Sequence, residues 1–282
     1  MIKIRLRTDI ALEELALERM ISNEKININE VFLDAIKAKE LNKKEGTYVT
    51  IDFSNLLTKE FMQEDIREQV SDVLAHFFTL MDIKKDDTVL ICGLGNDQVT
   101  PDALGPIVCE NVIVTNHFFV LDIQHDFIRP VTSFIPGVMG QTGMESSDML
   151  KSLVESYKPS LVIVVDALAT RSINRICKSI QITDAGINPG SGVKNKRKEI
   201  SKDVLNTKVL AIGIPTVCDL EVIINDVLKQ ALMETSYDLD KIYDEYIKGQ
   251  FSYMVTLKDI DDLIIDMADI VAISLNKVLH NI

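Results

Sequence analysis

Val89-Leu90-Ile91-Cys92-Gly93-Leu94-Gly95-Asn96 (VLICGLGN, 89–96) is an unbroken apolar run that breaks off in two glycines and an asparagine. A strand with one face in water alternates apolar and polar side chains, whereas a run without alternation belongs to a strand buried on both faces. LVIVVDA (161–167) repeats the form and carries Asp166 near its end, and KVLAIGIPT (208–216) repeats it again. Around these runs the apolar spacing becomes helical. Residues 101–114 follow the first run, and within 145–157 Met149, Leu150, Leu153, Val154 and Tyr157 fall on one stripe. Alternating strands and helices predict an α/β fold with a mostly parallel central sheet and helices on both faces. Ligands of such sheets gather beyond the carboxyl ends of the strands, where loops and helix starts converge. The GLGN turn and Asp166 both fall there.

Outward from this core of 88–235, the chain reads as one domain over 1–282. Residues 10–87 form an accessory layer: two short helices within 11–45, a strand at TYVTIDF (47–53), and a helix over 59–81 with Phe61, Ile66, Val70, Val73, Leu74 and Phe77 on one face. Residues 236–253 are polar and weakly periodic, which predicts a connection. Within 254–282 the spacing of Ile260, Leu263, Ile264, Met267, Ile270, Val271 and Leu275 predicts a long final helix, with Thr256 and Asp259 as its starting cap.

The bulk numbers exclude several classes. With 282 residues, 46% hydrophobic and 26% charged, the chain is long enough to bury a core. No apolar run reaches the roughly 18–20 residues of a membrane span, and charges interrupt the N-terminus where a signal peptide would be apolar. The expected location is the cytoplasm. A net charge of −13 repels phosphate backbones, so no direct nucleic-acid binding is expected. Four scattered cysteines, without a C-x-x-C pair, form neither a zinc site nor a disulfide framework. His76, His117, His125 and His280 lack metal-ligand spacing, and nothing calls for a cofactor.

GLGNDQVTPDALGP (93–106) carries the most chemistry. A dinucleotide site fails on spacing, because the third glycine of G-x-G-x-x-G would fall at Gln98. Thr100-Pro101 reads instead as a helix start, with Asp102 in the first turn, where the helix dipole favours the ionised carboxylate. Asp166 leaves a desolvated strand, so burial should raise its pKa. Two carboxyls in opposed environments divide the work of acid and base. The glycine-rich loops 136–145 and 184–192 are candidate walls of a substrate groove.

GLGNDQVTPDALGP, PGVMGQTGMESSD (136–148), VVDALATR (164–171), QITDAGINPGSGVKNKRKEIS (181–201) and AIGIPTVCD (211–219), in this order, resemble the germination proteases of spore-forming bacteria. RTDIALE (7–13) and the final helix extend the likeness over nearly the whole chain, and the family is distantly similar to hydrogenase maturation proteases. The resemblance implies an atypical aspartic endopeptidase, commonly a homotetramer of the spore core, that degrades small acid-soluble spore proteins during germination. Its two catalytic aspartates fall on Asp102 and Asp166. It also implies an inactive precursor that removes residues 1–9 by cutting between Asp9 and Ile10. A preference for acidic residues makes Arg171, Lys196 and Arg197 candidate substrate contacts, with Gly95 and Asn96 at the turn. The alternatives are a metal-binding maturation-type endopeptidase, using Asp102, Asp166 and His117, or an inactive binding homologue.

Overall fold

The computed structural model describes residues 10, 19–22, 26–53, 62–123, 129–190, 197–231, 239–250 and 253–280. The three apolar runs are strands: β4 (Val89–Gly93), β6 (Leu161–Thr170) and β8 (Lys208–Asp219). With β5 (Val131–Phe134) they form a parallel block, β8-β6-β4-β5. Beyond β8 the sheet continues through β7 (Ser179–Thr183), β3 (Gly46–Asp52), β2 (Asn27–Leu33) and β1 (Arg19–Ser22), all antiparallel to their neighbours. A short β9 (Met254–Val255) pairs antiparallel with the end of β8.

The sheet is therefore mixed, which corrects the expectation of a mostly parallel one. Unbroken apolar runs report burial on both faces and carry no information about strand direction. The parallel reading holds only for β4, β5, β6 and β8, where helices cross over between strands.

Helices cover both faces. On one, α2 (Met62–Leu80), α3 (Leu104–Asn111) and α10 (Ile260–His280) pack Phe77, Leu74, Leu104, Val108, Ile264 and Leu275 onto Ile91, Ile163, Val165 and Ile212. On the other, α6 (Ser146–Tyr157) and α7 (Lys202–Leu205) set Leu150, Val154 and Leu205 against Leu90, Cys92, Leu94, Val162 and Val164. All four cysteines are buried and free. Each fully buried leucine or phenylalanine contributes about 1.5–3 kcal/mol, so these two clusters hold the sheet that presents the site.

Within 11–45, residues 11–18 and 23–25 lie outside the described set; the described residues hold β1, β2 and one helix, α1 (Ala35–Leu41), in place of helix over 19–22 and 27–33, and α1 is started by Asp34 accepting from the backbone of Ile36 and Lys37. Val31 and Leu33 are buried and Phe32 between them is exposed, an alternation of period two. The Asn and Glu residues of NINEVFL obscured it, because they sit in a hydrogen-bonded ladder that polar residues tolerate. Through β3 these strands join the same sheet as the core.

Residues 236–253 are also more than a connection. α8 (Leu220–Ala231) is followed by α9 (Leu239–Tyr246), whose Tyr243 is buried, as is Ile247 just after it. The buried Glu221 carboxylate holds them, accepting from the Tyr243 hydroxyl at 3.2 Å and from the Gly249 N–H at 2.6 Å. Glu221→Ala leaves both donors unpaired, at about 1–3 kcal/mol each. Limited proteolysis within 239–250 is expected to quicken in that variant; an unchanged cleavage rate would refute the anchoring role.

Thr256 does not cap α10. Its hydroxyl donates to the Thr216 carbonyl at 2.7 Å, tying the chain to β8 before the helix begins. The far end of α10 is anchored by His280, fully buried with Nε2 3.0 Å from the Ile113 carbonyl. Burial holds the His280 imidazole below its ordinary pKa of 6.5, and the nearby Arg129 acts in the same direction, against the Ile113 bond. Below pH 6.5 the unfolded chain takes up a proton that the folded chain refuses, so His280 costs stability as pH falls. Replacement by phenylalanine is expected to flatten the stability profile between about pH 5 and 7, measured by urea unfolding.

Candidate active site

β4 ends at Gly93, but its pairing with β6 runs on, since the Leu94 N–H donates to the Val165 carbonyl at 2.8 Å. The turn that follows is built from backbone packed on backbone. Gly95, at φ 117°, lies so close to Asp102 that a Cβ would fall 1.9 Å from the Asp102 carbonyl oxygen. At Gly105 a Cβ would meet the Leu94 oxygen at 2.3 Å and the Val165 oxygen at 2.7 Å. The glycines of GLGNDQVTPDALGP thus seat α3 against the strand turn.

Asp102 closes a single 3-10 turn, Thr100–Asp102, and α3 starts only at Leu104. Thr100 does not cap through its side chain; Val99 occupies the cap position and Pro101 lies in the opening of the turn. The turn rests against β6 and β8. The Asn96 N–H donates to the Asp102 carbonyl at 3.0 Å. Burial pushes the Asp102 carboxyl above its ordinary range, opposed by that N–H and by the charge of Arg197. The expected lowering by a helix start is overturned: one 3-10 turn ahead of α3 has little dipole to offer, and desolvation outweighs it.

Asp166 lies on β6 opposite Gly213 of β8 and is 5% exposed. Its Oδ1 accepts from the Ala167 N–H at 3.0 Å. Cys92 of β4 is close enough to feel it: burial raises the Cys92 thiol pKa first, then Cys109, then Asp166. With Leu94 bonded to Val165 and Asp102 folded back on Gly95, both aspartates stand at the carboxyl end of the β4–β6 pair.

Arg197 is half-buried and directs its charge at Asp102. It is placed by its neighbours: the Lys198 ammonium bonds Asp148 of α6 at 2.7 Å, Glu199 pairs with Lys44 at 2.7 Å, and Ile200 bridges to Ile187. Arg171 is half-buried just past the end of β6. Lys196 and Asp9 lie outside the described residues, whereas Ile10 is fully buried.

His117 does not join this group. It sits in α4 (Asn116–Val120), two residues after Thr115, whose N–H donates to the Val131 carbonyl at the amino end of β5, the opposite end of the parallel strands. Among the described residues no three His, Cys, Asp or Glu side chains cluster as metal ligands, and no helix is long and apolar enough to cross a membrane.

Residue reasoning missed Gln141. It belongs to α5 (Met139–Thr142) in the loop 136–145, and its amide donates to Asn96 Oδ1 at 2.7 Å. The glycine pattern marked that loop as a groove wall, yet no spacing rule singles out one exposed glutamine.

Comparison with known proteins accounts for this arrangement. The sequence profile of the germination protease family matches residues 7–241. The germination protease of Bacillus mycoides (strain KBAB4) is 36% identical over 92% of this chain and 85% of its own length. That of Bacillus cytotoxicus is 35% identical over 99% and 95%, and that of Geobacillus sp. (strain WCH70) is 42% identical over 79% and 66%. Agreement of this extent leads to one assignment: the chain belongs to the germination protease family and is a peptidase of that family.

Proposed function

We propose that the chain is an aspartic-type endopeptidase that degrades small acid-soluble spore proteins in the spore core, with Asp102 and Asp166 as its catalytic pair. The observation that carries the reading is the packing of the Asp102 turn against the strand bearing Asp166. Asp166 accepts a proton from the water whose oxygen attacks the scissile carbonyl carbon. Burial suits the Asp102 carboxyl to hold a proton, which it passes to the amine nitrogen as the carbon–nitrogen bond then breaks. The products are a new carboxyl group and a new amino terminus, and no external reactant is required.

Arg171, Lys196 and Arg197 supply positive charge for acidic side chains of the substrate, and Gly95 and Asn96 line the turn beside the scissile bond. The glycine turn after β4 and the aspartate on β6 support the likeness to hydrogenase maturation proteases. We read 1–282 as one domain that assembles as a homotetramer. Its precursor is cut between Asp9 and Ile10, a step in which the buried Ile10 must first leave its packing.

The test is incubation with a purified small acid-soluble spore protein, comparing the parent chain with Asp102→Asn and Asp166→Asn. Each variant is expected to lose roughly 10²- to 10⁴-fold in turnover. Proteolysis undiminished in either one removes the pair from the mechanism.

A further inference from the structure

Gln141 lies on the surface, and its amide nonetheless spans two loops. Its Nε2 donates to Asn96 Oδ1 at 2.7 Å and stands 3.5 Å from Asp97 Oδ1, while its Oε1 accepts the Val138 N–H at 3.2 Å. The same Asn96 Oδ1 accepts from the Gln98 N–H at 3.0 Å. The Asn96 carboxamide oxygen is therefore gripped from two sides. On its backbone side, Asn96 donates to Asp102 at 3.0 Å.

The arm that carries Gln141 is braced by its own bonds. Gly137 and Gly143 turn it at φ 66° and 72°, the Gly143 N–H bonds Met139 at 2.8 Å, and the Ser146 hydroxyl bonds the Gly137 carbonyl at 3.2 Å. Within this arm Gln141 is the side chain that reaches the GLGN turn. An exposed bond of this kind contributes only about 0.5–1.5 kcal/mol, so its consequence lies in position more than in stability.

We infer that Gln141 is a positioning residue, whose amide holds Asn96 and, through the bond of the Asn96 N–H to the Asp102 carbonyl, holds the Asp102 turn and the carboxyl it carries where they meet substrate. The inference deepens the proposed function and rests on it for its effect on activity. The relay runs from the loop 136–145 through Asn96 to the Asp102 turn. Side-chain precision of this order matters, since a misplacement of about 1 Å at a reacting group costs up to 10²-fold in rate.

The experiment uses Gln141→Met, equal in length but without an amide, and Gln141→Ala as a second variant. Turnover of a small acid-soluble spore protein is measured together with the titration of the Asp102 carboxyl, followed by its ¹³Cγ shift and assigned by its absence in Asp102→Asn. The expected result is a fall in kcat of roughly 10- to 100-fold with KM little changed and the unfolding midpoint retained. Loosening the Asn96 N–H also moves the Asp102 titration to higher pH, because that bond favours the ionised form. An Asp102 titration unmoved in both variants overturns the inference. A raised titration with full turnover upholds the positioning and overturns instead the reading of Asp102 as catalytic.

Discussion

Asp102→Asn is expected to cut turnover roughly 10²- to 10⁴-fold and, at neutral pH, to raise the temperature of unfolding. The second effect follows from the direction of the Asp102 shift. Burial lifts its folded-state pKa above the ordinary 3.8, so as pH rises past 3.8 the unfolded chain releases its proton before the folded chain does. Stability falls across that interval and stays lowered above it. Asparagine keeps the shape and carries no charge to desolvate. The variant is therefore more stable than the parent at pH 7, and the difference closes as pH drops below 3.8. Calorimetry at pH 7 and at low pH, beside the proteolysis assay, checks both parts. A variant that is inactive and also less stable at pH 7 would show that Asp102 is needed to hold the turn, contrary to its role as a carboxyl kept at a cost for chemistry.

Gly105→Ala is expected to damage stability and activity together. The added carbon meets backbone on three sides, at 2.3 Å and 2.5 Å from the Leu94 oxygen and nitrogen and 2.7 Å from the Val165 oxygen. No flexible side chain can give way, so α3 must retreat from the β4–β6 edge, taking Asp102 with it. Overpacking of this kind costs about 1–3 kcal/mol and occasionally more, and backbone obstacles place the change at the upper end. Displacement of the site by about 1 Å adds a loss near 10²-fold in kcat. Gly140→Ala is the matched control in the neighbouring loop, where an added Cβ meets nothing within 4 Å. Urea unfolding and the spore-protein assay should show Gly140→Ala close to the parent and Gly105→Ala far below it. Equal behaviour of the two would refute the close-approach account of the glycines.

Much of the fold was legible because burial writes itself into composition. VLICG, LVIVVDALAT and KVLAIGIPTVCD are strands because their side chains meet helices on both faces, and α6 ends at Tyr157 as its apolar stripe does. NINEVFL was misread because polar residues in a ladder conceal a period of two, and 239–250 because its polar anchor is a buried carboxylate, Glu221, outside the segment.

Asp102 and Asp166 could be placed from the order of residues, because one follows the glycine turn and the other ends a buried run, and the motifs pointed to the family. Tertiary structure alone decided the direction of the strands beyond β8, the upward shift at Asp102, and the contacts of Arg197, Gln141 and Asn96. Side-chain periodicity records which groups are buried; strand direction, desolvation and hydrogen-bond partners depend on which distant segments come to lie beside them.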